Sequence, residues 1–304
     1  VKLRANGKLL LTGEYAVLDG ATALALPTKL GQLFELKNAR GSDIKWKSLD
    51  QDGNEWFSCV LSLYDFSAVK TTNEHVSDIL QKILNEATRL NSDFLSSWKG
   101  ISIQSKLEFD KEWGLGSSAT LIYFISQWAQ VDPYTLLDRT IGGSGYDIAC
   151  CDTTQPIFYS KDNGTRHIEE APFNPAFKEQ LYFVHLNQKQ STAAEIKEYT
   201  KRPKSDKHLI DELNDLTHKI SKVKRFSHFE KLISHHEDLL SKHLDKEPIG
   251  KQAFTGYWGK IKSLGAWGGD FVLATSDRSE DDTISYFQNK GYKTVLRYTD
   301  IILD

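Results

Sequence analysis

Apolar residues at helical spacing mark the longest segments of the chain. Val76, Ile79, Leu80, Ile83 and Leu84 recur at three- and four-residue intervals, which predicts an amphipathic helix over 75–90. Leu209, Leu213, Leu216, Ile220 and Val223 predict another over 209–223. Leu121, Ile122, Phe124, Ile125 and Trp128 predict a buried helix that stops near Asp132-Pro133, with a short helix over YTLLDRT behind it. Leu232, Ile233, His236, Leu239 and Leu240 share one face of a further helix, and Ser227-His228-Phe229-Glu230 reads as a capping box at its start. The polar run DDTISYFQNKG closes the set.

Between these lie shorter runs with strand character. They are Leu9–Leu11, ATALALP, 31–37, 55–62, 101–109, PIFYS, LYFVHLN, FVLAT and YKTVLRY. Asp19-Gly20, placed between two apolar runs, predicts a hairpin turn. The polar stretch KRPKSDK at 201–207 reads as a surface connection. Strands and helices are mixed without regular alternation, so the pattern favours α+β over a doubly wound sheet.

Composition narrows the partners more than the fold. With 304 residues and 39% hydrophobic content, the chain can bury a core large enough for two lobes. A net charge of −3 gives no global electrostatic case for nucleic acid or an anionic membrane, although a local pocket can still be basic for a small anion. Cys59, Cys150 and Cys151 are too few for a disulfide framework and read as small buried residues, which fits a cytoplasmic location. No apolar run approaches the roughly 18 residues of a membrane span, and the start VKLRANGKLLLTGEY reads as patterned structure, not as a leader. The chain contains no methionine, so any methionine missing from between these residues would lengthen the spacings used below by one residue each.

Four stretches carry candidate chemistry. In WGLGSSAT, Gly114 and Gly116 let the backbone approach a ligand closely, and Ser117 and Ser118 open an apolar helix. A helix start offers free N–H groups and the positive end of the dipole, which suits a phosphate, and the hydroxyls can donate to it or ligate Mg²⁺. The same residues could also form a tight strand-to-helix turn with a serine N-cap. The spacing G-x-G-x-x-A also fits a dinucleotide fingerprint, but QVDPYTLLDRT behind the helix is no buried parallel strand, and no G-K-[ST] follows for a Walker A loop. In GGSGYDIA, Asp147 either N-caps a helix or orients a substrate hydroxyl and takes its proton. In KSLGAWGGDF, Gly265, Gly268 and Gly269 either wrap a ligand or make a turn between core elements. Lys8 in GKLLLTGEY is either a solvated strand lysine or a phosphate contact.

In this order the four stretches resemble the GHMP small-molecule kinases over essentially the whole chain, and GYDIA followed by ACC looks like the bacterial branch named for that string. The resemblance implies an α+β, two-lobed GHMP kinase fold. Its N-terminal lobe (1–176) resembles ribosomal protein S5 domain 2 and its C-terminal lobe (177–304) is ferredoxin-like, with ATP and substrate meeting in the cleft. It implies that Gly114, Leu115, Gly116, Ser117, Ser118 and Ala119 cradle the ATP phosphates, that Ser118 ligates Mg²⁺ and that Asp138 is a weaker second candidate ligand. Asp147 and Lys8 match the catalytic pair. Glu14, Tyr15, Gly143, Ser144, Gly145, Gly265, Ala266, Trp267, Gly268 and Gly269 match the loops around substrate and phosphates, with Lys189, Ser191 and Thr192 near the substrate. ATP and Mg²⁺ are the implied cofactors.

The first motif, TGEYAVLDG, differs from the galactokinase pattern and is similar to mevalonate-pathway members, so the expected substrate is a mevalonate-type acid, mevalonate or phosphomevalonate. The expected partners are that acid alone, with no nucleic acid and no membrane, and room is left for a homodimer. The alternatives are a homoserine or sugar kinase, or a non-catalytic nucleotide-binding relative. The chain departs from the family pattern where Asp110-Lys111-Glu112-Trp113 replaces the usual proline lead-in, and where Trp267 stands at a position more often small.

Overall fold

A computed structural model describes residues 1–188, 192–265, 267 and 269–303, with side chains from 195 onward in the helix that begins at Thr192. Lys189, Gln190, Ser191, Ala266, Gly268 and Asp304 lie outside the described residues. The chain divides into two compact units, Val1–Gly7 with Leu30–Lys111 and Leu115–Asp152, and Lys8–Lys29 with Glu112–Gly114 and Thr153–Asp304.

The strands are β1 (Lys2–Thr12), β2 (Ala23–Asn38), β3 (Asp43–Leu49), β4 (Glu55–Ser62), β5 (Ala68–Thr71), β6 (Ile101–Leu107), β7 (Ile157–Asp162), β8 (Thr165–Glu170), β9 (Leu181–His185), β10 (Ile261–Ser263), β11 (Phe271–Thr275) and β12 (Val295–Arg297). The helices are α1 (Glu74–Leu90), α2 (Ser117–Ala129), α3 (Pro133–Arg139), α4 (Tyr146–Ala149), α5 (Thr192–Tyr199), α6 (Lys207–Lys222), α7 (Phe226–Leu244), α8 (Ile249–Ala253), α9 (Glu280–Asn289) and α10 (Tyr298–Ile301). The class is α+β, as the mixed pattern implies.

In the first unit the strand order is β5-β4-β3-β6-β2, with β3 parallel to β6 and the other pairs antiparallel. Asn73 N-caps α1 by accepting from Val76 N–H, and Asp132 N-caps α3 ahead of Pro133 at the first helical position. Leu80, Ile83 and Leu84 of α1 join Ile122, Phe124 and Ile125 of α2 and Phe34 of β2 in one core. Phe34 and Phe124 stack with centroids 4.3 Å apart, and burying each such ring is worth about 2–3 kcal/mol. In the second unit the start of β2 pairs with β7, and β7 with β8. The small sheet runs β10-β11-β9-β12, antiparallel throughout, with α6 against α7 and α7 against β10. No helix among the described residues is long and apolar enough to cross a membrane. All three cysteines are buried, and none forms a disulfide.

Three expectations fail locally. Asp19-Gly20 is not a two-residue hairpin turn. Ala16–Asp19 tighten into a 3-10 turn closed by Gly20 at φ 100°, and the Asp19 carboxylate is drawn off to accept from the Tyr199 hydroxyl at 2.6 Å. ATALALP and 31–37 are not separate strands but parts of the continuous β2. Ser227 is no N-cap either. α7 begins at Phe226 with Arg225 before it and no side-chain cap, and Glu230 instead accepts from the Thr275 hydroxyl of β11 at 2.6 Å.

Candidate active site

The glycine loop between β6 and α2 is held from both ends. Trp113 packs edge-on against Phe271 of β11, with centroids 5.8 Å apart. Gly114 follows at φ +64°, and a Cβ there would lie 2.0 Å from the Asp270 carboxylate oxygen. Only glycine fits that position, on both conformational and steric grounds. Lys8 Nζ donates to the Gly114 carbonyl at 2.9 Å, so the solvated reading of this lysine fails: β1 carries it half-buried to the loop. Leu115 then follows fully buried, and Gly116 at φ 97° is the left-handed N-cap of α2.

The serine N-cap alternative fails as well, because no side chain caps α2. Ser117 is half-buried, Ser118 exposed and Ala119 buried at this helix start. An N-terminus with no side-chain acceptor keeps its first-turn N–H groups and dipole for an anion.

Asp147 lies on α4, which packs on α2, with Ile148 in the same core as Ile122. Gly142, Gly143 and Gly145 carry φ of 71°, 116° and 96°, and Gly145 is the N-cap of α4. Asp147 is therefore not a cap. It sits half-buried in the first turn of α4, and its carboxylate accepts from the adjacent Ile148 N–H at 3.2 Å. Ser144 is buried beside it in the chain. Burial pushes the Cys151 thiol well up, which makes it a packing residue and not a nucleophile. Asp138 is exposed on α3, and no group of three His, Cys, Asp or Glu among the described residues could hold a metal.

The first motif is committed to protein partners within the second unit. Tyr15, at φ 57° and ψ −49°, is the apex of a γ-turn in which Ala16 N–H donates to the Glu14 carbonyl at 2.6 Å. That positive-φ turn is rare and strained. The buried Tyr15 hydroxyl accepts from Trp267 N–H at 2.9 Å and donates to Glu195 at 2.9 Å, and its ring stacks on Tyr199 at 5.2 Å. Burial raises its phenol. Glu14 is fully buried and paired with the equally buried Lys262, with His236 Nε2 3.8 Å away. Burial pushes the Glu14 carboxyl up to about 7, against the pull of Lys262.

In the last motif Gly265 has φ 60°, Trp267 is buried and Gly269 is buried. Ala266, Gly268, Lys189 and Ser191 lie outside the described residues, as does the Thr192 side chain.

Asp270, Lys262, His236 and Glu237 are absent from the motif-based set. The signals for two of them lay in the sequence: a histidine on the apolar face of α7, and a lysine opening the KSLGAWGGDF stretch. His236 Nε2 accepts from Gly13 N–H at 3.2 Å, and burial holds its imidazole well below the ordinary range. As pH falls below about 6.5 the unfolded chain takes up the proton first, so the native state loses stability there. His236→Gln lacks that penalty. Its stability deficit in urea titrations is expected to be smaller at pH 5 than at pH 7, and an equal or larger deficit at pH 5 would show that the imidazole is charged in the native state.

No family model and no curated protein matches the chain. Solved structures do. The Methanococcus jannaschii mevalonate kinase superposes with a TM-score of 0.69 at 17% identity, covering 100% of this chain and 98% of its own. The Streptococcus pneumoniae phosphomevalonate kinase, in complex with phosphomevalonate and AMPPNP, gives 0.70 at 16%, covering 98% and 99%. The Lactococcus lactis galactokinase complexed with galactose gives 0.63 at 13%, covering 95% and 88%.

The fold is that of the GHMP kinases. The likeness runs end to end, so the GHMP-kinase fold accounts for both the large sheet and the small one. The resemblance carried by the four motifs holds at the level of fold.

Proposed function

We propose that the chain is an ATP-dependent small-molecule kinase that transfers the γ-phosphoryl group to a hydroxyl or phosphate of a mevalonate-type acid, mevalonate or phosphomevalonate. The observation that carries this reading is the start of α2: a left-handed Gly116 N-cap, no side-chain cap, and Lys8 fastened to the Gly114 carbonyl just ahead of it. Phosphoryl transfer asks the protein for alignment and charge neutralisation more than for covalent work. The bare N-terminus supplies N–H groups for phosphate oxygens, and Lys8, bonded to the Gly114 carbonyl, supplies an ammonium. Asp147 would orient the acceptor hydroxyl and accept its proton as the bond forms, since a carboxylate is too weak a base to remove it early.

The donor set fits an ion that arrives on the nucleotide. Mg²⁺ keeps several waters and takes few protein ligands besides substrate phosphates, and the exposed Ser118 hydroxyl would be such a ligand. When bound, the ion neutralises charge on the phosphates. Ser118→Ala is expected to raise the Mg²⁺ concentration needed for half-maximal rate and to depress turnover. An unchanged Mg²⁺ dependence would move that role to Ser117 or elsewhere.

The acid substrate rests on the first motif's likeness to mevalonate-pathway kinases. An ADP-release screen over mevalonate, phosphomevalonate, diphosphomevalonate, homoserine and hexoses tests it. Release with mevalonate or phosphomevalonate is expected. Release with hexoses or homoserine alone would replace the substrate, and nucleotide binding with no release on any of them would make the chain a non-catalytic relative.

A further inference from the structure

Three consecutive residues of the first motif are each pinned by side chains or backbone from far along the chain. Gly13 N–H is taken by His236 Nε2 at 3.2 Å, Glu14 is paired with Lys262, and the Tyr15 hydroxyl is bonded to both Glu195 and Trp267 N–H. The neighbour of His236 on α7 completes the arrangement. Glu237 accepts from Ser263 N–H at 3.1 Å and from the Ser263 hydroxyl at 2.7 Å, and Lys262 donates to the Ser263 carbonyl at 2.9 Å. Glu14, Lys262, His236, Glu237 and Ser263 are all buried.

Net stability is a poor reason for such a cluster. A buried ion pair recovers little more than its desolvation cost, and apolar side chains of the same volume would do as well or better. Its geometry has a different consequence. Every bond in it ends either on 13–15, where the backbone is strained, or on 262–263, the end of the strand that leads into Leu264 and Gly265. Strain of this kind persists only where surrounding contacts over-determine it. The Tyr15 hydroxyl then hands that fixed position to Trp267 N–H, inside the last glycine motif.

We propose that Glu14, Lys262, His236 and Glu237 form a buried clasp whose function is to position Tyr15 and, through its hydroxyl, the Trp267 segment for phosphoryl transfer. They are positioning residues. All four are buried, and Tyr15 holds the loop with an oxygen that is already bonded twice. The proposal rests on the kinase reading for its link to turnover, but the clasp itself has a readout of its own.

The experiment uses Tyr15→Phe and the double variant Glu14→Gln/Lys262→Met in the full chain. The double variant removes both charges at near-constant volume and avoids the unpaired buried lysine that Glu14→Gln alone would leave. Peptide-level hydrogen exchange over 263–272 without ligand, nucleotide affinity by titration, and steady-state kinetics on the acid identified by the ADP-release screen are measured together. Exchange over 263–272 is expected to rise about tenfold in both variants, with kcat down about tenfold and nucleotide affinity within twofold. Unchanged exchange in both variants overturns the clasp whatever the activity. Raised exchange with unchanged kcat overturns the positioning role and leaves a structural one. Should the wild-type chain turn over no substrate, the kinase reading and the link to phosphoryl transfer fall together, and raised exchange would still establish the clasp.

Discussion

Asp147→Asn is expected to lower turnover by about 10²–10⁴-fold, the range a positioned proton acceptor supplies, while nucleotide affinity stays within about twofold. The change is nearly isosteric. The carboxylate oxygen of Asp147 accepts from the adjacent Ile148 N–H, a bond the carboxamide oxygen can keep. The N-cap of α4 is Gly145, and its packing on α2 runs through Ile148, so neither depends on the charge. What the amide loses is the ability to take a proton and to orient a hydroxyl as an anion does. Comparable losses of turnover and nucleotide binding would instead mark Asp147 as part of the scaffold under the α2 N-terminus. Steady-state kinetics beside a direct nucleotide titration separates the two.

Gly114→Ala has the second-largest expected effect, for a steric reason that a glycine's freedom alone does not supply. A Cβ there would sit 2.0 Å from one Asp270 oxygen and 2.4 Å from its Cγ, at φ +64°. Forcing an alanine into that left-handed position costs about 1–2 kcal/mol before any clash. To make room, either Asp270 moves or the Gly114 carbonyl leaves Lys8. If this loop positions phosphate as proposed, a shift of about 1 Å is enough for roughly a hundredfold loss of rate. Gly164→Ala is the control. It has φ +85° with nothing within 4 Å of a Cβ, so it carries the strain without the collision. Gly114→Ala should lose turnover and nucleotide affinity together, and Gly164→Ala neither. Gly114→Ala/Asp270→Ala should recover the steric part of the loss. Wild-type rates in Gly114→Ala alone would mean that Asp270 does not hold this loop.

Much of the fold was legible because its long elements repeat a simple period. α1, α2 and α6 begin and end within a few residues of the apolar pattern and α9 of its polar run, and Asn73, Asp132, Asp206 and Ser279 cap their helices with their own side chains. β3 was equally readable, since Ile44, Trp46 and Ser48 alternate inward, but its charged flanks hid it among loop residues. α7 was misread at its start because Glu230, the second half of the apparent capping box, is worth more to Thr275 of β11 than to its own helix end. A local motif predicts a cap only when no distant partner competes for the same oxygen.

The candidate site divides along the same line. Glycine spacing and an apolar helix behind it mark the loop proposed to hold phosphate, because backbone conformation and helix dipole are local properties. Glycine spacing also located the turn that leads into α4 and Asp147, and the first and last motifs announced themselves by composition. Which of these residues face solvent and which face protein is not local. Glu14 and Tyr15 match the loops around substrate and phosphates by resemblance, yet one is paired with Lys262 and the other bonded to Glu195 and Trp267. Asp270 gained its place only because Gly114 has no Cβ. The amino-acid sequence by itself determined the elements, the glycine turns and the exposed start of α2. The tertiary structure alone decided the polar partnerships, because a buried charge is tolerable only beside its partner, and for Glu14 that partner is 248 residues away.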